Sequence, residues 1–205
     1  MRIGLIVDGQ AEFRCIPKII RRLSTPCAIL DPLYADMQPL APVAQIVRSV
    51  KGRVHILANR GVDRAVFLID FETRATCPGS WARLLEDALR IAYEGLSISE
   101  YKVVMKTRKF ENWVLGDPSA IASMSGRFNV SASDLERITP DKADHVDAAA
   151  LLSKMALNKS YDKIDDAERI LTKADPLNIA ANSRSFRRFL RILEIKKYGN
   201  QSRRP

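Results

Sequence analysis

The first 106 residues alternate between short apolar runs and stretches with helical spacing. Residues 2–7 form one run, and residues 65–69 form another, in which Val66, Phe67, Leu68 and Ile69 are consecutive. A run of that kind, following the polar Asp63-Arg64, reads as a strand buried on both faces, as in a parallel sheet. Residues 101–105 make a further strand, and a weaker one fits residues 28–34, bounded by Pro26 and interrupted by Pro32, which suits a sheet edge. Between these runs apolar residues recur every three or four positions. They are Phe13, Ile16, Ile19, Ile20 and Leu23 within 11–23, Val43, Ile46, Val47, Val50, Val54 and Leu57 within 43–59, and Trp81, Leu84, Leu85, Ala88, Leu89 and Ala92 within 80–93. Ser80 is the expected N-cap of the last. The order βαβαβαβ implies right-handed crossovers and an α/β fold: a mostly parallel, four-stranded sheet with helices on both faces.

Beyond residue 110 the pattern becomes helical. Helices are expected at 110–115, at 118–124 behind Asp117-Pro118, at 146–156, at 167–171 and at 185–198, with a polar, turn-rich stretch at 125–144. In the last helix Phe186, Phe189, Leu190 and Leu193 line one face, and Arg184, Arg187, Arg188 and Arg191 line the other. The chain thus divides into an α/β core, residues 1–117, and a helical C-terminal extension, residues 118–205, packing on that core.

Composition narrows the class. With 46% hydrophobic and 28% charged residues the sequence is that of a globular protein. No apolar run approaches the roughly 20 residues that span a bilayer, so a cytoplasmic location with no membrane partner is expected. The three cysteines are widely spaced and lack nearby histidines, which favours reduced thiols over disulfides or zinc. A net charge of +9 favours polyanionic partners such as nucleic acid. Much of that charge lies near the C-terminus, where Arg184, Arg187, Arg188, Arg191, Lys196, Lys197, Arg203 and Arg204 face a single acid, Glu194.

Candidate chemistry follows from the strand order, because ligands of open α/β sheets bind beyond the carboxyl ends of the strands. Asp8 and Glu12 follow the first strand, Asp70 and Glu72 follow the 65–69 strand, and Lys106-Thr107-Arg108-Lys109 follow the 101–105 strand. Asp8, Asp70, Glu72 and Glu111 are candidate ligands for Mg²⁺ or Mn²⁺, hard cations that take carboxylate oxygens. Glu12 is a candidate ligand or general base, and Lys106 a candidate catalytic group facing a phosphate. Arg108 and Lys109, with Arg184, Arg187, Arg188 and Arg191, are candidate nucleic-acid contacts. For each acid the alternative is an ordinary solvated residue at a strand end, and for the arginines the solvated face of an amphipathic helix. No GxxxxGK loop and no GxSxG elbow occurs, which argues against an independent ATPase and against a serine hydrolase.

Four segments together resemble a known family: Asp8-Gly9-Gln10-Ala11-Glu12, Asp70-Phe71-Glu72, Phe110 to Asp117 (FENWVLGD) and Ser183 to Leu190 (SRSFRRFL). Over nearly the whole length the chain resembles Toprim-fold proteins, and more narrowly a small bacterial Toprim-like family of unassigned function, often encoded near ABC-type ATPases in mobile or phage-defence loci and related to the OLD nucleases. The resemblance implies a Toprim-like, Rossmann-like fold and a metal-dependent nuclease or phosphodiesterase acting with an ATPase partner. A non-catalytic Toprim-like subunit that binds nucleic acid or a partner protein is the alternative. It also implies that Asp8 stands where Toprim domains carry a glutamate, Glu12 where OLD nucleases carry a further acid, and Asp70 and Glu72 where they carry an aspartate pair. Asp8 is one methylene shorter, and Glu72 one longer, than the residues they replace. PIN-like nucleases and haloacid-dehalogenase phosphatases resemble parts of the same strands but leave the two downstream segments unexplained.

Overall fold

A computed structural model describes residues 1–199; Arg203 and Arg204, part of the expected basic tail, lie outside the described residues. The first half runs β1 (Arg2–Val7), α1 (Gln10–Ile20), β2 (Ala28–Ile29), β3 (Leu33–Tyr34), α2 (Val43–Asn59), β4 (Arg64–Asp70), α3 (Pro78–Ala92) and β5 (Glu100–Lys106). All pairings within this sheet are parallel. β1 lies beside β4, and β4 beside β5, while β2 and β3 both pair with the other side of β1. The sheet therefore has five strands rather than four, because the expected 28–34 strand is broken at Asp31-Pro32 into two short pieces that share one edge position. Proline cannot donate to the ladder, which is the physical reason for the break.

Alternate side chains of the central strands enter two cores. Leu5, Val7, Val66 and Leu68 face one, and Ile6, Phe67 and Ile69 the other. Helices α2 and α3 cover the second face with Ile46, Val50, Val54, Trp81 and Leu85. Burial on both sides accounts for the near-continuous apolar runs of these strands. The helix at α3 starts two residues earlier than expected, with Cys77 as N-cap and Pro78 in the first turn. The outer edge of β5 is closed by side chains: the Val103 N–H donates to the Glu86 carboxylate (2.8 Å), and Arg188 reaches the Val103 carbonyl (3.5 Å).

The first face is covered by α1 together with the helices that follow β5. These are α4 (Glu111–Leu115), α5 (Pro118–Ala122), α6 (Ala132–Ile138), α7 (Ala148–Met155), α8 (Asp165–Lys173), α9 (Pro176–Asn182) and α10 (Arg184–Ile192), with 3-10 turns at Ala143–His145 and Lys196–Tyr198. The two downstream sequence signatures meet here. Trp113 packs its ring 5.1 Å from Phe186 and 5.3 Å from Phe189, and its indole N–H donates to Ser185 Oγ (2.8 Å). Ser183 and Ser185 in turn donate to the buried Asp144. Gly116 lets α4 and α9 approach closely, since a Cβ there would lie 3.0 Å from Ile179.

Two helices were not expected. α6 arises inside the polar 125–144 stretch from a capping box in which Ser131 and Asp134 satisfy each other's backbone N–H. α9 starts behind Asp175 with Pro176 in its first turn. α10 ends at Ile192 instead of reaching residue 198, because Glu194 takes a left-handed φ of 62°. No helix among the described residues is long and apolar enough to cross a membrane.

Candidate metal centre

Three acids reach the carboxyl edge of the sheet by different routes. Asp8 is the first residue past β1, and its Oδ2 accepts the Asp70 N–H (2.9 Å), tying the end of β1 to the end of β4. Glu12 sits in the first turn of α1, where the helix dipole favours a carboxylate. Gly9 separates them for reasons of space: its φ is −134°, open to any residue, but a Cβ there would stand 2.1 Å from Glu12 Oε2. Without that side chain Glu12 folds back toward Asp8. The Asp-Gly-x-x-Glu spacing thus has a local steric cause. One carboxylate oxygen from each of Asp8, Glu12 and Asp70 lies within 4.8 Å of the others.

Register sets the fourth member. β4 and β5 place Asp70 opposite Lys106, whose side chain is 0% exposed. The Lys106 ammonium lies 2.7 Å from Asp8 Oδ1 and 3.0 Å from Asp70 Oδ1, and it donates to Glu12 Oε1. An ammonium has three N–H groups, and three carboxylates surround it. Lys106 therefore lies beneath the acids as their counter-cation, rather than facing a phosphate as its position after β5 suggested. Burial disfavours its charge, yet Asp70, Asp8 and Glu12 together hold its pKa well above the ordinary lysine value. Burial also raises the Glu12 carboxyl, opposed by Lys106. It pushes Asp70 up to about 7, with Lys106 pulling down and Asp8 and Glu12 adding to the rise.

A cavity of about 420 Å³ opens above this cluster, lined among others by Asp8, Glu12, Asp70, Tyr34, Phe110 and Lys163. Glu72 and Glu111 line it too, but outside the three-carboxylate set. Glu72 is deflected because the chain bends at a left-handed φ of 50°, and its carboxylate lies 4.0 Å from Lys109. Arg108 has a left-handed φ of 63°, and its carbonyl accepts the Glu72 N–H (2.8 Å), so the two bends brace each other. Non-glycine residues held in this region tend to cluster at functional sites. The buried Glu111 faces Lys163 at 3.8 Å. Tyr34 closes the short β3 and Lys163 lies in the turn before α8, where no hydrophobic periodicity marks either. A second cavity of about 200 Å³, lined by Arg108, Lys109, Glu72 and Thr73, adjoins the first.

The C-terminal arginines do not join this site. Arg187 forms a two-pronged pair with Asp141 (2.9 and 3.0 Å), and Arg188 is half-buried against β5 and Glu86. The end of α10 that carries Arg191 lies beside the start of β4, since Arg64 donates to the Ile192 carbonyl. That is the opposite end of the strand from Asp70. Arg184, at the head of α10, is exposed.

The donor set suits a divalent cation. All the candidate ligands are carboxylate oxygens, and the buried Asp70 Oδ1 has no partner beyond the Lys106 ammonium at 3.0 Å. A family model matches residues 7–194. The chain belongs to the family described as Domain of unknown function (DUF4276). In this DUF4276 chain the matched span takes in the whole acid cluster, Lys106 and both downstream signatures. No curated protein and no solved structure matches the chain.

Proposed function

We propose that this DUF4276 protein is a divalent-metal-dependent phosphodiesterase of Toprim-like type, a nuclease that works in the cytoplasm beside an ABC-type ATPase partner. The observation that carries the reading is the convergence of Asp8, Glu12 and Asp70 on one point at the carboxyl edge of a parallel sheet, below an open cavity. Asp8, Glu12 and Asp70 would hold Mg²⁺ or Mn²⁺, with Glu72 and Glu111 at the rim. Such an ion, when bound, supplies charge neutralisation at a phosphoryl group and acidifies a bound water. Lys109, Arg108 and Lys163 give the rim positive charge suited to phosphates. The Toprim-like assignment is supported by the two acidic motifs and their matching places in the sheet. The ATPase partner rests on the resemblance alone.

The test is nicking of supercoiled plasmid with Mn²⁺ by wild type and Asp70→Asn. Cleavage by the wild type and none by the variant is expected; equal cleavage by both would sink the proposal. One observation favours a second reading. Lys106 already compensates part of the acids' charge, which lets the cluster stand without an ion, as in a non-catalytic subunit. A non-catalytic nucleic-acid-binding subunit would show salt-sensitive DNA binding and no heat of Mn²⁺ binding in calorimetry.

A further inference from the structure

The acid cluster is built around a cation that the chain itself provides. Each of the three carboxylates presents one oxygen to the Lys106 ammonium: Asp8 Oδ1 at 2.7 Å, Asp70 Oδ1 at 3.0 Å, and Glu12 Oε1. In their ordinary charge states, three carboxylates and one ammonium leave two negative charges, the complement of a single divalent ion. Of the other three acids lining the cavity, Glu72 and Glu111 have lysines of their own, Lys109 at 4.0 Å and Lys163 at 3.8 Å, while the exposed Asp36 accepts from Gln38 Nε2 (2.7 Å). A second ion would therefore have to displace or outcompete these pairs.

We propose that Lys106 is a built-in counter-cation that restricts the site to one divalent ion, bound from the cavity side, and weakens the affinity for it. This inference rests on the metal reading above and gives it a stoichiometry. Two physical arguments support it. Three buried carboxylates without a partner would be strongly destabilising, so a fixed ammonium allows the site to stand preformed before any ion arrives. A fixed positive charge a few ångströms from the seat of a divalent ion also repels that ion strongly in a poorly solvated site. Lys106 in this role is a positioning residue, because its side chain is fully buried and does not line the cavity.

Mn²⁺ alone, titrated into the full chain with free ion followed by electron paramagnetic resonance, tests the proposal without any turnover. Wild type should bind one equivalent. Lys106→Met should bind its first ion at least tenfold more tightly and take up a second. Because Lys106→Met leaves three acids uncompensated and can fail to fold, the same comparison is made in a Glu12→Gln background. There, adding Lys106→Met restores two net charges and should tighten Mn²⁺ binding at least tenfold over Glu12→Gln alone. A purely structural lysine would leave affinity and stoichiometry unmoved in every folded variant, and that result, or two equivalents on the wild type, would overturn the proposal. Absence of Mn²⁺ binding by every chain would instead remove the metal reading on which it stands.

Discussion

Asp144 and Asp70 are both aspartates withdrawn from solvent, and burial raises the pKa of both, yet their surroundings differ in one respect. Asp144 Oδ1 accepts from Ser183 Oγ (2.8 Å) and Ser185 Oγ (3.2 Å), and Oδ2 accepts the Ser185 N–H (2.8 Å). Both of its oxygens are satisfied by neutral donors from one turn of chain. Asp70 Oδ1 has no neutral donor, and its one partner is the Lys106 ammonium 3.0 Å away, which it shares with Asp8 and Glu12. A fully satisfied buried acid rigidifies its surroundings, whereas one left incomplete costs free energy and persists where it serves a ligand. The comparison separates the two kinds of motif in this chain. The Phe110–Asp117 and Ser183–Leu190 signatures are chiefly architecture, and the Asp8, Glu12 and Asp70 set is the candidate for chemistry.

Breaking the architectural side should have the largest effect on stability. Trp113→Ala removes a fully buried ring that stacks on Phe189 and meets Phe186 edge-on, and should cost about 3–5 kcal/mol in chemical denaturation. Asp144→Ala leaves the Ser183 hydroxyl and the Ser185 N–H without their acceptor and should cost about 1–3 kcal/mol, while the folded fraction keeps its Mn²⁺ binding. The smallest and most specific effect is on pH dependence. With the Asp70 carboxyl near 7 in the metal-free protein, an ion must displace its proton, so Mn²⁺ affinity should fall by up to about tenfold per unit as pH drops below 7 and level off above it. The same shift, upward from 3.8, means that the folded metal-free chain binds more protons than the unfolded chain within that window. Its contribution is therefore present at low pH and is lost as pH rises through about 7. Urea titrations across that range, with and without Mn²⁺, check both signs.

The α/β half was largely legible because its strands are buried on both faces and its helices on one, which writes burial directly into hydrophobic spacing. The 43–59 helix and the ends of β1 fell where spacing put them. Asp8, Glu12 and Asp70 could be brought together from strand order alone. Lys106 was found for its position but not its direction, since nothing in the order of residues shows that the ammonium turns under the acids instead of over them. Glu72 was misplaced relative to Asp70 because the left-handed turn occurs at a glutamate, with no glycine to signal it. α6 escaped because its evidence is a pair of caps, Ser131 and Asp134, in a stretch whose composition reads as loop. The arginines of α10 had the pattern of a solvated stripe, but Asp141 and the β5 edge, both distant in sequence, take up Arg187 and Arg188.

The central claim is that the three acids at the sheet edge form a site for a divalent ion. Mn²⁺ binding to wild type and to Asp70→Asn, measured at pH 8 on chains whose unfolding free energies have been matched by denaturation, tests it most directly. One equivalent on the wild type and loss of that binding in Asp70→Asn, at a stability cost no greater than about 1 kcal/mol, is the predicted result. Equal binding by both chains, or none by the wild type, would contradict it.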